Sequence, residues 1–329
     1  MSGKNSVFAI LGKTFKIYLR FLHKFFLYMT FPVLGQMVGF VLILLPAMYM
    51  ANNLPQLASK YTFFAEPVRQ FILLLIVILP GLILMLSAFW KYLVGYSALN
   101  SMTQSALVSG KVYDFPAHNS FVTKNLLKFI FIWFVVSVLT ILSINPLLAI
   151  LCSIAFLFLV PVFQVFTFEG EKNAIECIKR SFELVKNNFG TVIGLLTLIG
   201  LILWVITQLV TWGGVKIIPH EKIFAEYANL ILNIGFVQNI NSILAQSSEL
   251  FGVNFEITAS MISELILSVV ISMLVWGYTL PLRSICWTLW YKDVTDGENR
   301  AKKSSKKREV KQLDPEILRR ANLEDDEEV

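Results

Sequence analysis

The side chains that most often bind metals or act in catalysis are few in this chain and widely separated. Its 329 residues include three cysteines and three histidines, and none of them has neighbours at the spacing of a metal site. These residues are Cys152, Cys177, Cys286, His23, His118 and His220. GxSxG, HExxH, P-loop and GxGxxG sequences are also absent. The sequence therefore predicts no catalytic site, no metal site and no cofactor.

A second set of candidates consists of neutral polar side chains inside long apolar stretches. They are Gln36, Thr140, Thr197 and Ser272. Ion-coupled transport usually places ionisable residues at such depth, whereas amides and hydroxyls more often form hydrogen bonds between helices. We expect these four residues to join helices, and the alternative is that they line a pathway for a solute.

Basic side chains form the third set. Lys13, Lys16, Arg20 and Lys24 share one face of an amphipathic stretch, and a similar stretch later in the chain carries Lys179 and Arg180. A basic amphipathic helix lies in the headgroup plane and is attracted to anionic lipid. We expect these residues to contact lipid headgroups, and the alternative is that they only fix the membrane topology.

Composition indicates the surroundings in which these residues act. The chain is 56% hydrophobic and only 15% charged, whereas about 25% is usual for a soluble domain. Six nearly uncharged stretches approach the roughly 20 residues that a membrane helix needs. They cover residues 25–51, 71–93, 128–143, 147–168, 190–212 and 265–287. The sequence predicts an all-α polytopic membrane domain over residues 25–291.

The basic residues are concentrated in alternate connections. Residues 1–24, the connections after the second and fourth spans, and the tail 292–329 are rich in Lys and Arg. The remaining connections, 52–70, 143–146 and 213–264, are poor in them. Because Lys and Arg stay on the cytoplasmic side, we expect both termini to be cytoplasmic and residues 213–264 to form an outer-face segment.

Two segments allow more than one interpretation. Residues 223–248 are long enough for a seventh span, but six amides would be costly in hydrocarbon. We expect one or two helices on the outer face there. In the tail, residues 299–312 are basic and predicted to be disordered, and Asp314 opens a short predicted helix. The tail is either a solvated end or a docking segment for a soluble or membrane-protein partner, and nothing indicates nucleic acid.

Three similar units are visible along the chain. An amphipathic stretch precedes the first, third and fifth spans, so residues 1–24 are predicted to begin with a cytoplasmic interfacial helix. A hydroxyl-Phe pair recurs in these stretches, and a proline recurs in each returning span. The residues are Thr14-Phe15, Ser120-Phe121, Ser181-Phe182, Pro80, Pro161 and Pro281. We interpret this as a threefold parallel repeat, with coincidence as the alternative.

Two passages resemble a known family. One runs from Phe168-Glu169-Gly170 through Ser181-Phe182-Glu183, and the other is Trp290-Tyr291-Lys292-Asp293 with Gly297-Glu298 after it. They resemble bacterial multi-pass membrane proteins that include the membrane domain associated with glycerophosphoryl diester phosphodiesterases. Val294-Thr295-Asp296 stands where that pattern has arginines. The resemblance implies about six spans and interfacial helices in a bacterial cytoplasmic membrane, with the endoplasmic reticulum as the alternative location. It implies no phosphodiesterase activity, because no catalytic barrel is encoded.

Two functions follow from these patterns. The first is a non-enzymatic membrane protein that organises or regulates membrane components through its interfacial helices and charged tail. The second is a channel or transporter for a small or lipidic molecule.

Overall fold

The computed structural model describes residues 6–61, 66–112, 115–233, 235–251 and 256–312. Within these residues the chain is all-helical and forms thirteen helices. They are α1 (Val7–Arg20), α2 (Leu22–Lys60), α3 (Pro67–Val108), α4 (Phe115–Lys124), α5 (Leu126–Leu142), α6 (Pro146–Leu159), α7 (Val162–Phe168), α8 (Ala174–Asn187), α9 (Phe189–Ile217), α10 (His220–Leu232), α11 (Gly235–Phe251), α12 (Ala259–Tyr278) and α13 (Leu280–Gln312).

Five stretches of the described chain are long and apolar enough to cross a membrane. They are Leu22–Met50, Pro67–Val108, Pro146–Phe168, Phe189–Ile217 and Ala259–Asn299. A sixth is the pair α4 and α5, which is bent by 82°. The prediction of a polytopic all-α membrane protein is therefore confirmed with five spans, or six if the bent pair counts as one.

Helices α2, α3 and α13 extend well beyond the predicted spans. The second span was predicted to end at residue 93, but α3 continues to Val108 and stops before Gly110, whose φ of 66° suits a helix end. Lys91 does not end α3 because a long side chain can reach the headgroup region. The prediction that residues 299–312 are disordered is wrong, because α13 runs to Gln312. Lys, Arg and Glu extend an existing helix without a new nucleus. The helix predicted after Asp314 lies outside the described residues.

Helices α2 and α3 make the longest helix pair and approach each other closely at glycines. A Cβ atom on Gly39 would lie 2.6 Å from the Met85 nitrogen and 2.8 Å from the Gly81 oxygen. A Cβ on Gly35 would lie 2.8 Å from the Ala88 Cβ. Small residues four apart allow membrane helices to pack backbone against backbone, so these glycines fix the contact between α2 and α3.

Two of the three prolines that recur in the sequence lie at helix breaks. Pro161 separates α6 from α7, and Pro281 follows the break at Thr279 between α12 and α13. A proline lacks the backbone N–H that would continue the helix. Pro80, in contrast, lies inside the uninterrupted helix α3.

Most of the buried core lies at one end of the bundle. This packed end consists of α1, α4, α7 and α8 together with residues 22–33 of α2, 94–108 of α3, 126–132 of α5, 189–199 of α9 and 280–294 of α13. Its fully buried side chains include Leu99, Phe166, Leu184 and Trp290. The open end is the remainder, where long apolar side chains face outward, as Leu147 does with 85% of its surface exposed.

The segment 223–248 forms parts of two helices, α10 and α11. Helix α10 packs against α12, and the side chain of Asn241 in α11 bonds to both the nitrogen and the oxygen of Ile257. The expectation of one or two helices agrees with this, and neither helix is long enough to count as a span.

Candidate functional site

A buried group of neutral polar side chains joins three helices at the packed end, and we call it the polar junction. Its centre is Asn100 of α3, whose side chain is completely buried. The Asn100 Oδ1 atom accepts hydrogen bonds from Ser284 Oγ (2.6 Å), Gln164 Nε2 (3.1 Å) and Thr288 Oγ1 (3.2 Å). The junction therefore ties α7 and α13 to α3.

Two further hydroxyls complete the polar junction. Thr167 Oγ1 lies 2.7 Å from Ser97 Oγ and accepts a weak hydrogen bond from Asn100 Nδ2 at 3.4 Å. Thr167 itself donates to the Phe163 carbonyl at 2.6 Å, so Ser97 is the donor of the bond between the two hydroxyls. In low-dielectric surroundings such networks fix the register of helices.

One atom of the junction lacks a partner. Gln164 is 4% exposed, yet its Oε1 atom has no hydrogen-bond donor. A buried unsatisfied oxygen costs about 1–3 kcal/mol, and such an atom needs an explanation.

Beyond the polar junction, an ion-pair cluster connects α13 to the α7–α8 connection. Glu169 accepts a hydrogen bond from Tyr291 at 2.6 Å and pairs with Lys172 and Arg180. Arg180 of α8 also pairs with Glu298 of α13. The cluster therefore holds α13 against α7 and α8 one to four turns beyond the junction.

The charges in this cluster favour the ionised forms of its members. Burial raises the pKa of Glu169, but hydrogen bonds from Lys172 and Tyr291 and the charge of Arg180 outweigh it, so the pKa lies below the usual value of glutamate. Burial lowers the pKa of Arg180, and the pairing with Glu298 and Glu169 raises it by more. Each side of the cluster thus keeps the other charged.

The structure separates the basic residues that the sequence grouped together. Lys13, Lys16, Arg20, Lys24 and Lys179 are all exposed. Arg180 is half-buried and belongs to the ion-pair cluster. The first five can therefore meet a headgroup in this structure, whereas the guanidinium of Arg180 is already paired.

The four neutral polar residues singled out in the sequence do not meet. Gln36 donates to the Pro32 carbonyl and Thr140 to the Val136 carbonyl, each within its own helix. Thr197 is exposed, and Ser272 lies on a shallow open groove along α12. The expectation that these residues bond between helices finds no support in these contacts.

Sequence reasoning missed the residues that do meet. Asn100 lies beyond residue 93, the predicted end of its span, so hydropathy gives no reason to expect it to be buried. Gln164 and Ser284 each stand three residues after a repeated proline, Pro161 and Pro281. A proline followed at that spacing by a polar residue, in two returning spans, was the available signal.

No group of three or more His, Cys, Asp or Glu side chains suited to a metal ion occurs in the described part of the chain. Cys152, Cys177 and Cys286 are free and buried. Compared with known proteins, the chain matches no protein-family model, no curated protein and no solved structure.

Proposed function

We propose that this protein is a non-enzymatic membrane protein that organises membrane components, and that the packed end rests on an anionic cytoplasmic leaflet. The observation that carries the proposal is the division of α1 into two faces. Ile10, Leu11 and Thr14 are buried, and α1 packs mainly against α13. The lysines of α1 stay exposed on its other side.

This arrangement suits attraction to anionic lipid. Each Lys or Arg near an anionic leaflet contributes about 1 kcal/mol, and four basic residues stand between Lys13 and Lys24. Arg20 also lies over the Phe21 ring at 5.3 Å, so an aromatic side chain stands beside the charge, as is common at the membrane interface. Because α1 packs against α13, lipid bound to α1 would be connected through α13 to the rest of the packed end.

The proposal includes a threefold parallel repeat whose units begin with an interfacial helix. Three times, a short helix is followed by a single-residue break and a long apolar helix: α1 and α2 around Phe21, α4 and α5 around Asn125, α8 and α9 around Asn188. The recurring hydroxyls support two of the units better than the third, because Thr14 and Ser181 are buried while Ser120 is exposed.

We also infer the cellular setting from the sequence. The alternating basic connections favour cytoplasmic termini in a bacterial inner membrane, and kinship with the phosphodiesterase-associated membrane family is proposed without that catalytic activity. The tail, residues 292–329, is proposed to recruit a membrane-protein or soluble partner.

Lipid analysis of the purified protein tests the main proposal. The variant with Gln at Lys13, Lys16, Arg20 and Lys24 should co-purify with less than about half of the anionic lipid that the wild type retains. The matched control replaces four basic residues near the open end, Lys60, Arg69, Lys216 and Lys222, and should retain the wild-type amount. Equal lipid loss in both variants, or in neither, contradicts the proposal.

One observation favours the second candidate, a transporter or channel for a small or lipidic molecule. Polar groups beside interruptions in membrane helices occur at transport sites, and Gln164 and Ser284 lie beside the short interruptions at Pro161 and Thr279, across which each apolar stretch continues. Vesicles containing the protein and a fluorescent phospholipid test this candidate. The transporter candidate is excluded for these two probes if the lipid moves between leaflets no faster than in empty vesicles and a small trapped dye stays inside.

A further inference from the structure

Arg283 is a charged residue inside an apolar stretch, and the protein supplies no counter-ion for it. It follows the break between α12 and α13, within the apolar stretch Ala259–Asn299. No carboxylate in the described part of the chain pairs with it. Its Nε atom is enclosed by the protein and has no hydrogen-bond acceptor. An uncompensated charge beside hydrocarbon is costly, and an anion from outside the chain would offset that cost.

The guanidinium of Arg283 points toward the middle of the apolar helices. Its Nη2 atom donates to the Trp276 carbonyl at 2.7 Å, seven residues earlier in the chain, and its Cζ atom lies 4.7 Å from the centre of the Trp276 ring. A basic side chain that only snorkels extends the other way, toward the headgroup region. The Trp276 carbonyl is among the last four of α12, so Arg283 caps that helix. The cap uses one of the three guanidinium nitrogens.

Trp276 also forms one end of the shallow groove along α12, which we call the α12 groove. It is lined by Leu265, Ser268, Val269, Ser272, Met273 and Trp276. From Leu265 to Trp276 the helix rises about 17 Å at 1.5 Å per residue, close to the roughly 15 Å of hydrocarbon in one leaflet. The length and the apolar lining of the groove therefore suit one acyl chain, with Arg283 beside the end of the groove nearest the packed end.

We propose that the α12 groove and Arg283 together bind one anionic phospholipid. One acyl chain lies along the groove, and the phosphate bonds to Nη1 of Arg283, which has no hydrogen-bond partner in the described chain. The phosphate offsets the whole charge, because that charge is delocalised over the planar guanidinium. The half-exposed indole of Trp276 lies where the headgroup meets the chain, a position that tryptophan favours in membranes.

Charge favours a lipid over a second copy of the protein as the occupant of the α12 groove. Apolar side chains of a second copy would cover the groove and leave the charge of Arg283 uncompensated, whereas a phospholipid supplies both an acyl chain and an anion. This site goes beyond the proposed function and does not depend on it, because none of its residues belongs to α1.

Native mass spectrometry of the full chain in detergent, with phosphatidylglycerol added, tests the proposal. One phosphatidylglycerol should bind with saturation, and this site should persist in the variant with Gln at Lys13, Lys16, Arg20 and Lys24. Inorganic phosphate in excess should not displace the lipid, because phosphate has no acyl chain for the groove. The proposal is overturned if no saturable site exists, if inorganic phosphate displaces the lipid, or if the α1 variant loses the site.

Two substitutions of basic residues test the role of Arg283. Arg283→Gln removes the charge and should weaken phosphatidylglycerol binding at least about 10-fold, because a charge-assisted hydrogen bond is lost. Lys91→Gln is the control, since it removes an exposed basic residue from the apolar part of α3 and should keep the wild-type affinity. Equal affinities in the two variants contradict the assignment.

Ser272→Trp tests the groove and leaves Arg283 in place, in case Arg283→Gln does not fold. The added ring occupies the path of the acyl chain, so the saturable binding should be lost. Leu201→Trp adds a similar ring at an exposed position of α9 and should keep the binding. Unchanged binding in Ser272→Trp, or an equal loss in Leu201→Trp, would show that the α12 groove does not hold the lipid.

Discussion

The packed end and the open end of this protein are stabilised by different means. At the packed end, short helices enclose a core that includes Leu184 and Trp290, and polar contacts centred on Asn100 and Glu169 cross between helices. At the open end, apolar side chains such as Leu147 and Ile150 point away from the protein. The packed end therefore resembles a soluble domain, and the open end depends on lipid to cover it.

This difference determines which side chains tolerate substitution. Side chains that face lipid tolerate exchange among apolar residues, because hydrocarbon makes similar contacts with all of them. Side chains in a close-packed interior with buried polar groups do not. One part of the open end should also be intolerant of substitution. It is the contact between α2 and α3, where the backbones of Gly39 and Gly81 approach closely.

The largest contrast is expected from truncating one leucine at each end. Leu184 is completely buried and Leu147 is 85% exposed. Leu184→Ala should lower the free energy of unfolding by about 2–5 kcal/mol, because it leaves a cavity. Leu147→Ala should change it by less than about 0.5 kcal/mol. Denaturant unfolding in mild detergent measures both, and similar losses would remove the distinction between the two ends.

A smaller effect is expected at the glycine contact. Gly39→Ala places a methyl group 2.6 Å from the Met85 nitrogen, so α2 and α3 must separate, at a cost of about 1–3 kcal/mol. Gly200→Ala in α9 is the control, because its Cβ would have nothing within 4 Å. The thermal midpoints of the two variants give the comparison. If Gly39→Ala is as stable as Gly200→Ala, the close contact is not a determinant of the fold.

The smallest effect is expected in the ion-pair cluster. Because the pKa of Glu169 is lowered on folding, its ionised form stabilises the protein above the ordinary pKa of glutamate, and this stabilisation is lost as the pH falls through the lowered value. Glu169→Gln should reduce stability at neutral pH by less than about 1 kcal/mol and flatten the acid side of the stability profile.

Glu171→Gln, at an exposed neighbouring carboxylate, is the control for Glu169→Gln. Thermal midpoints measured from neutral to acid pH should show the flattened profile only in Glu169→Gln. The same acid profile in both variants would mean that the ion-pair cluster contributes nothing specific.

The membrane spans were predictable because hydropathy is a local property of the chain. The uncharged run before residue 51 predicts α2, and the turn at Asn145-Pro146 predicts the break between α5 and α6. Neither prediction needs tertiary information. Helix ends were less predictable, since Lys91 interrupts the apolar pattern of α3 without interrupting its backbone hydrogen bonds.

The polar junction could not be predicted, because it depends on which helices meet. Gln36 and Asn100 are both amides in apolar helices, but only Asn100 faces two other helices that supply hydroxyl and amide partners. Arg180 shows the same limit of sequence-based prediction. Its position beside Lys179 predicts that both residues contact headgroups, but folding brings Arg180 to Glu169 and Glu298.

Cysteine labelling in intact cells tests the central claim, that the packed end lies on the cytoplasmic side of a membrane crossed by the apolar helices. Lys24→Cys marks the packed end and Lys222→Cys the open end, both at exposed positions, and the native cysteines are buried. An impermeant maleimide should label Lys222→Cys in intact cells and Lys24→Cys only after the membrane is permeabilised. Labelling of Lys24→Cys in intact cells would contradict the account.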